Sequence, residues 1–253
     1  MFNDNQFISL IRGTGQQFSG WDFSFITGTG RVQSGLLPWS YGSMILPFVQ
    51  NAGTVLDMGT GGGEFLANVR PLPDTVYATE GYKPNIPIAS KRLTPLGVKV
   101  VPLEEDDALP FNDAYFDLII NRHESYSLRE VRRIISDEGM FITQQVGGTD
   151  CSEINERLGV SVDEEYADWH LNTASKEIAN HHFEIIDCQE AFPLQRFYDI
   201  GALVYYLKAI PWQVADFDTE KYMKRLYQIH QIIQTKGYFE VKQHRFIILA
   251  KAI

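Results

Sequence analysis

Cysteine is nearly absent from this 253-residue chain: Cys151 and Cys188 are the only two, which gives neither a disulfide framework nor thiolate spacing for a metal. No metal centre is expected. No run approaches the roughly 18 to 20 apolar residues that a membrane span needs. The first residues, Met1-Phe2-Asn3-Asp4-Asn5, lack the basic start and apolar stretch of a secretory leader. The expected location is the cytoplasm, with no membrane partner. Positive charge is also scarce: 22 Lys and Arg stand against 32 Asp and Glu, a formal net charge of -10 that opposes nonspecific attraction to polyphosphate. The one exception is the stretch 220–253, where seven Lys or Arg outnumber two acids, so that end is locally +5 and keeps RNA as a minor alternative substrate. Repeats and low-complexity tracts are missing as well. With 44% hydrophobic and 21% charged residues, the composition is that of a globular protein able to bury a substantial core.

What is present centres on Val55-Leu56-Asp57-Met58-Gly59-Thr60-Gly61-Gly62-Gly63-Glu64-Phe65-Leu66. The apolar run Thr54 to Met58 ends at glycines and is followed at once by an apolar-periodic segment, which predicts strand, tight turn and helix. Glycine serves there because side chains would keep a ligand from the backbone at the strand's carboxyl end. Counting from Gly59, the third position of a dinucleotide fingerprint is Glu64, and Asp57 precedes the loop. Neither acid suits a pyrophosphate at a helix N-terminus. A ligand with cationic groups fits better.

Three further stretches follow in order. Thr75-Val76-Tyr77-Ala78-Thr79 ends in Glu80, an acid at the tip of the neighbouring strand that can accept hydrogen bonds from ribose hydroxyls. Val98-Lys99-Val100-Val101-Pro102 leads to Asp106-Asp107-Ala108-Leu109-Pro110-Phe111, and Tyr115-Phe116-Asp117-Leu118-Ile119-Ile120 makes a fourth run. The D-x-G-x-G-x-G loop and the series after it resemble the class I S-adenosylmethionine-dependent methyltransferases over about residues 50 to 147. That resemblance implies a Rossmann-like, doubly wound α/β fold: seven mostly parallel strands with the last antiparallel, helices on both faces, and an added lid or cap. It implies S-adenosylmethionine as cofactor, held by Asp57, Gly59, Thr60, Gly61, Gly63 and Glu80, with Asp107 and Ala108 at the adenine edge. Asn121 and Arg122, at the fourth strand's tip beside the glycine loop, join this set.

The remaining segments frame that core. His123 follows Arg122, and an imidazole there could take a proton from an acceptor, with a limb in the pH profile near 6 to 7. Ser127-Leu128-Arg129-Glu130 has the form of a capping box opening a helix that Gly139 closes, and Met140 to Val146 reads as the fifth strand. Gln144 and Gln145 alternate there, so one of them can reach the pocket mouth. Residues 1 to 50 do not read as a sheet unit. Their aromatics (Phe18, Trp21, Phe23, Phe25, Trp39, Tyr41, Phe48) suit a lid, with Arg31, Trp39, Tyr41 and Tyr198 as substrate or lid residues. The expected layout is one methyltransferase domain: an N-terminal lid (1–50), a cofactor core (51–148), cap insertions (149–172 and 193–240, the first carrying acids 163 to 165) and a final strand (241–253). Residues 200 to 212 are apolar all round, so that helix should be buried in the cap or in a subunit contact, which makes a homodimer an option. The expected acceptor is a small or medium-sized organic molecule. An RNA methyltransferase and a cofactor-binding accessory protein without turnover are the alternatives.

Overall fold

The computed structural model describes residues 4–15, 18, 22–162 and 165–253. Trp21, Asp163 and Glu164 lie outside them. The cofactor core alternates as expected: β2 (Thr54–Met58), α4 (Glu64–Asn68), β3 (Thr75–Glu80), α5 (Ile86–Leu93), β4 (Lys99–Pro102), β5 (Phe116–Arg122), α6 (Leu128–Ile134) and β6 (Ile135–Val146). Before it come α1 (Asn5–Arg12), α2 (Ser24–Thr27), β1 (Val32–Ser34) and α3 (Tyr41–Asn51). After it come α7 (Ser152–Leu158), α8 (Leu171–Asn180), β7 (Phe183–Ala191), β8 (Leu194–Phe197), α9 (Ile200–Ala209), α10 (Met223–Lys236), β9 (Phe239–Lys242) and β10 (Arg245–Ala252).

Seven strands form one sheet in the order β4-β3-β2-β5-β6-β10-β7. β2, β3, β4, β5 and β6 pair in parallel, and β10 runs antiparallel to both of its neighbours. The central strands are buried on both faces, so they are mostly apolar while successive side chains still enter different cores. Val55, Leu118, Ile120, Ile247 and Leu249 pack with Ile45 and Val49 of α3. Leu56, Ile119, Phe246 and Ile248 pack on the opposite side with Val131 of α6 and Ala174 and Ile178 of α8.

Three local expectations are corrected. Residues 32–34 are a strand after all: β1, β8 and β9 form a separate antiparallel sheet, with Val32 opposite Phe197 and Phe197 opposite Phe239. The final strand accordingly begins at Arg245, and 239–242 belongs to the cap. The capping box does not form. Ser127 makes no side-chain cap, and the Glu130 carboxylate, which would reach back to the Ser127 amide, accepts instead from the Leu109 amide (2.9 Å) and pairs with Arg133 (2.6 Å). Nor does Gly139 close α6, which ends at Ile134; the chain enters β6 directly, and the register shift between Phe116 and Leu118 takes up the turn at Glu138 (φ 67°).

The cap has its own core around α9, in which nine of ten residues are buried. Phe7 of α1, Ile154 and Leu158 of α7, and Leu226, Ile229 and Ile233 of α10 surround it. The apolar run thus finds its partners within the chain. His230 is buried beside Phe7, with its Nε2 3.3 Å from Asp4, and ties α1 to α10. Among the described residues, no helix is long and apolar enough to cross a membrane.

Candidate functional site

The loop after β2 is a backbone cradle. Gly59, Gly61 and Gly63 have φ of 66°, 63° and 78°, a region that costs other residues roughly 1–2 kcal/mol. The loop is fixed to β3: the Thr60 amide donates to the Thr79 carbonyl (2.9 Å) and the Gly59 amide to the Thr79 hydroxyl (3.3 Å). Glu64 folds back on the loop at Gly62. It pairs with Arg92, which also donates to the Gly62 carbonyl, so its charge is neutralised beside the loop.

Carboxylates from four segments gather round the cradle. Asp57 and Glu80 are buried at the tips of β2 and β3. Burial raises Asp57 to about 6, with Glu80 adding to the rise and Arg122 opposing it. Burial also raises Glu80, against the backbone amides of Tyr82, Gly61 and Gly81; the Tyr82 amide lies 2.7 Å from its carboxylate. Glu104, Asp106 and Glu124 line a cavity of ≈ 240 Å³ together with Met58, Gly59, Thr79 and Gly81. Burial, then the neighbouring Asp106 and Glu80 charges, raises Glu124 to about 7. Its side chain lies on Gly59 so closely that a Cβ at that position would overlap it. The cavity is small for a nucleoside site, roughly 300–1,000 Å³ being usual, and Glu124 fills part of that space.

Glu124 was not foreseen; a single acid after a histidine looks like a solvated loop residue. Nor was the choice between the paired aspartates: Asp106 lines the cavity and accepts from the Ser125 hydroxyl, whereas Asp107 and Ala108 are exposed. The Asp107 carbonyl accepts from Arg129 (3.1 Å).

The tip of β5 is held by the two glutamines of β6, and both serve it. Gln145 Nε2 donates to Asn121 Oδ1 (2.7 Å) and to the Glu124 carbonyl (3.0 Å). The Gln144 carbonyl accepts from the His123 amide (2.8 Å). Between these grips His123 adopts φ of 67°, a strained backbone of the kind stored where geometry matters. Asn121 is fully buried, and its Nδ2 has no partner among the described residues. Arg122 lays its guanidinium 4.5 Å over the Phe65 ring, which in turn packs 5.2 Å from Tyr41.

His123 is arranged differently from the expected proton acceptor. Its Nε2 lies 3.0 Å from Gln144 Nε2. Desolvation, then the Arg245 and Arg122 charges, pushes its pKa well below 6.5, although part of the residue stays open to solvent. Any limb it contributes to a pH profile therefore falls below the expected 6 to 7.

The lid residues divide in two. Trp39 and Tyr41 are buried at the sheet's end: Trp39 Nε1 donates to Gln144 Oε1 (2.8 Å) and the Tyr41 hydroxyl to the Asn121 carbonyl (3.1 Å). Arg31 and Tyr198 lie by the small sheet. Arg31 binds Asp199 through two nitrogens (2.7 and 2.6 Å), and the Tyr198 hydroxyl donates to Gln33 (2.8 Å). Phe18, Phe23 and Phe25 pack on Tyr205 and Tyr206 of α9.

An open α/β sheet with a glycine cradle and carboxylates at its carboxyl edge defines a protein of the doubly wound class, in which ligands bind at that edge. Residues 56–143 match the family model of the methyltransferase domain. The matched stretch runs from β2 to β6 and holds the glycine loop, Glu80 and the tip of β5. Solved structures share its architecture. A candidate methyltransferase from Bacillus halodurans C-125 aligns at TM-score 0.60 with 15% identity, over 84% of this chain and 99% of that one. A candidate sarcosine dimethylglycine methyltransferase from Galdieria sulphuraria aligns at 0.52 with 13% identity, over 83% and 82%. The [4+2]-cyclase SpnF aligns at 0.52 with 14% identity, over 92% and 94%. At such identities the likeness is one of fold. No curated protein matches the chain.

Proposed function

We propose that the protein transfers a methyl group from S-adenosylmethionine to a small or medium-sized organic acceptor. The observation that carries this reading is the ring of Asp57, Glu80, Asp106 and Glu124 round a glycine cradle, an environment that repels pyrophosphate and suits a ligand carrying an ammonium and a sulfonium. When bound, S-adenosylmethionine supplies a methyl already activated for displacement, so the protein mainly has to align the partners and exclude water. Glu80 would accept the ribose hydroxyls, the amides of the 59–63 loop would meet the backbone-facing edge of the ligand, and Asn121 Nδ2 offers a donor without a competing partner. An internal cap built round α9 favours a small acceptor over RNA. Calorimetry should show binding of S-adenosylmethionine or S-adenosylhomocysteine and none of comparable strength for NAD; tight NAD binding would sink the reading. Turnover with labelled methyl donor and a metabolite extract then separates an enzyme from a binding protein.

A further inference from the structure

Trp39, Gln144 and His123 form a chain of hydrogen bonds whose direction is fixed by its first member. An indole N–H only donates, so Trp39 Nε1, 2.8 Å away, fixes Oε1 as the Gln144 atom that faces it. The amide nitrogen must then point the other way, at His123 Nε2 (3.0 Å). Because that nitrogen also only donates, His123 Nε2 has to be the acceptor, and its lone pair is used. The imidazole proton therefore sits on Nδ1. The His123 amide bond to the Gln144 carbonyl (2.8 Å) and the left-handed φ of 67° hold the ring's base to the same residue. Arg122 and Arg245 are the charged groups that bear on the ring from β5 and β10. Arg122 is exposed on the Phe65 ring.

We propose that Trp39 and Gln144 are positioning residues that lock His123 as the neutral Nδ1–H tautomer, so that His123 and Arg122 together present a donor and a cation to an acceptor bearing an oxyanion, a carboxylate or a phenolate. The acceptor half rests on the methyl-transfer reading; the tautomer half stands without it. An oxyanion needs no base. Its lone pair forms the new C–O bond while the C–S bonding electrons stay on sulfur, the two charges cancel, and no proton has to leave.

The test is 15N-detected NMR of the histidines, which separates the two tautomers and the imidazolium whether or not turnover occurs. In the wild type, His123 should show a protonated Nδ1 and a bare Nε2 from pH 8 to about pH 6. In Gln144→Glu the carboxylate can only accept, so Nε2 should become protonated; Trp39→Phe, which frees the amide to turn, should give a mixture. A wild-type His123 protonated at Nε2, or an imidazolium at neutral pH, overturns the proposal. For the acceptor, protein saturated with S-adenosylhomocysteine is titrated at pH 8 with benzoate, 4-nitrophenolate and benzylamine. Benzoate moving the Nδ1 resonance assigns a carboxylate and 4-nitrophenolate a phenolate; response to benzylamine alone, or to none of the three, overturns the acceptor class. Failure of S-adenosylhomocysteine to bind, seen by calorimetry, marks instead the failure of the methyl-transfer reading.

Discussion

Glu80 and Glu124 are both carboxylates at strand tips, and their surroundings give them different tasks. Glu80 is pinned by backbone amides, and on the methyl-transfer reading it accepts from the ribose, so Glu80→Ala should weaken cofactor binding by about 1.5 to 3 kcal/mol in calorimetry. Glu124 and Asp57 are raised by burial to about 7 and about 6, and a cationic ligand favours their ionised forms. Affinity for S-adenosylmethionine should therefore rise from about pH 5.5 to about pH 7.5 and then level; in Glu124→Gln the part of the rise near 7 should vanish, leaving the part near 6. The ligand-free protein should behave in the opposite sense. A carboxyl whose folded pKa is raised contributes stability below its unfolded value near 4.5, and that contribution is lost as pH climbs through about 7. Chemical denaturation from pH 5 to 8 should show this fall, and a flatter one in Glu124→Gln.

At the scale of the element, the β2 loop and the β5 tip were legible to different depths. The loop could be read because its backbone demands glycine, a demand written in the sequence itself. Gly63 adds a second constraint, since a Cβ there would lie 2.7 Å from Leu93 Cγ on α5. Gly63→Ala should thus cost about 2 to 4 kcal/mol, from backbone strain plus overpacking. Gly97→Ala, with φ of 83° but open space, should cost only about 1 to 2. Paired denaturation curves would check the contrast. The β5 tip was legible only as a place. Trp39 and Gln144 are 105 positions apart, and no local pattern announces that an indole will orient an amide or that the amide will set a tautomer. The capping box failed for the same reason: Glu130 had a stronger distant partner in the Leu109 amide than a nearby one in the helix start.

For the whole molecule, the runs of β-formers marked the central strands and the family resemblance implied seven, whereas nothing announced the three-stranded sheet. Its strands have three or four residues, too few to display a period, and come from three separated segments. Arg31 and Asp199 join two of those segments, and Asp199 also caps α9 by accepting from the Ala202 amide (2.9 Å). Asp199→Ala should lower stability by about 2 to 3 kcal/mol while leaving cofactor affinity nearly unchanged, because its contacts lie in the cap. A large loss of affinity would show that cap and cofactor core are coupled.

The pairing of Val32 with Phe197 also sets an order of events during synthesis. Translation at roughly 5–20 residues per second separates the two by on the order of 10 to 30 seconds. Over that interval the first segment has been made but its partner strand has not, while the β2 loop and the strands beside it can already pair. Phe23, Phe25 and Val32 then have no α9 to cover them, so the growing chain exposes apolar surface at its leading end until the cap sequence emerges. That leading segment is where a chaperone that reads exposed aromatic residues would engage this protein.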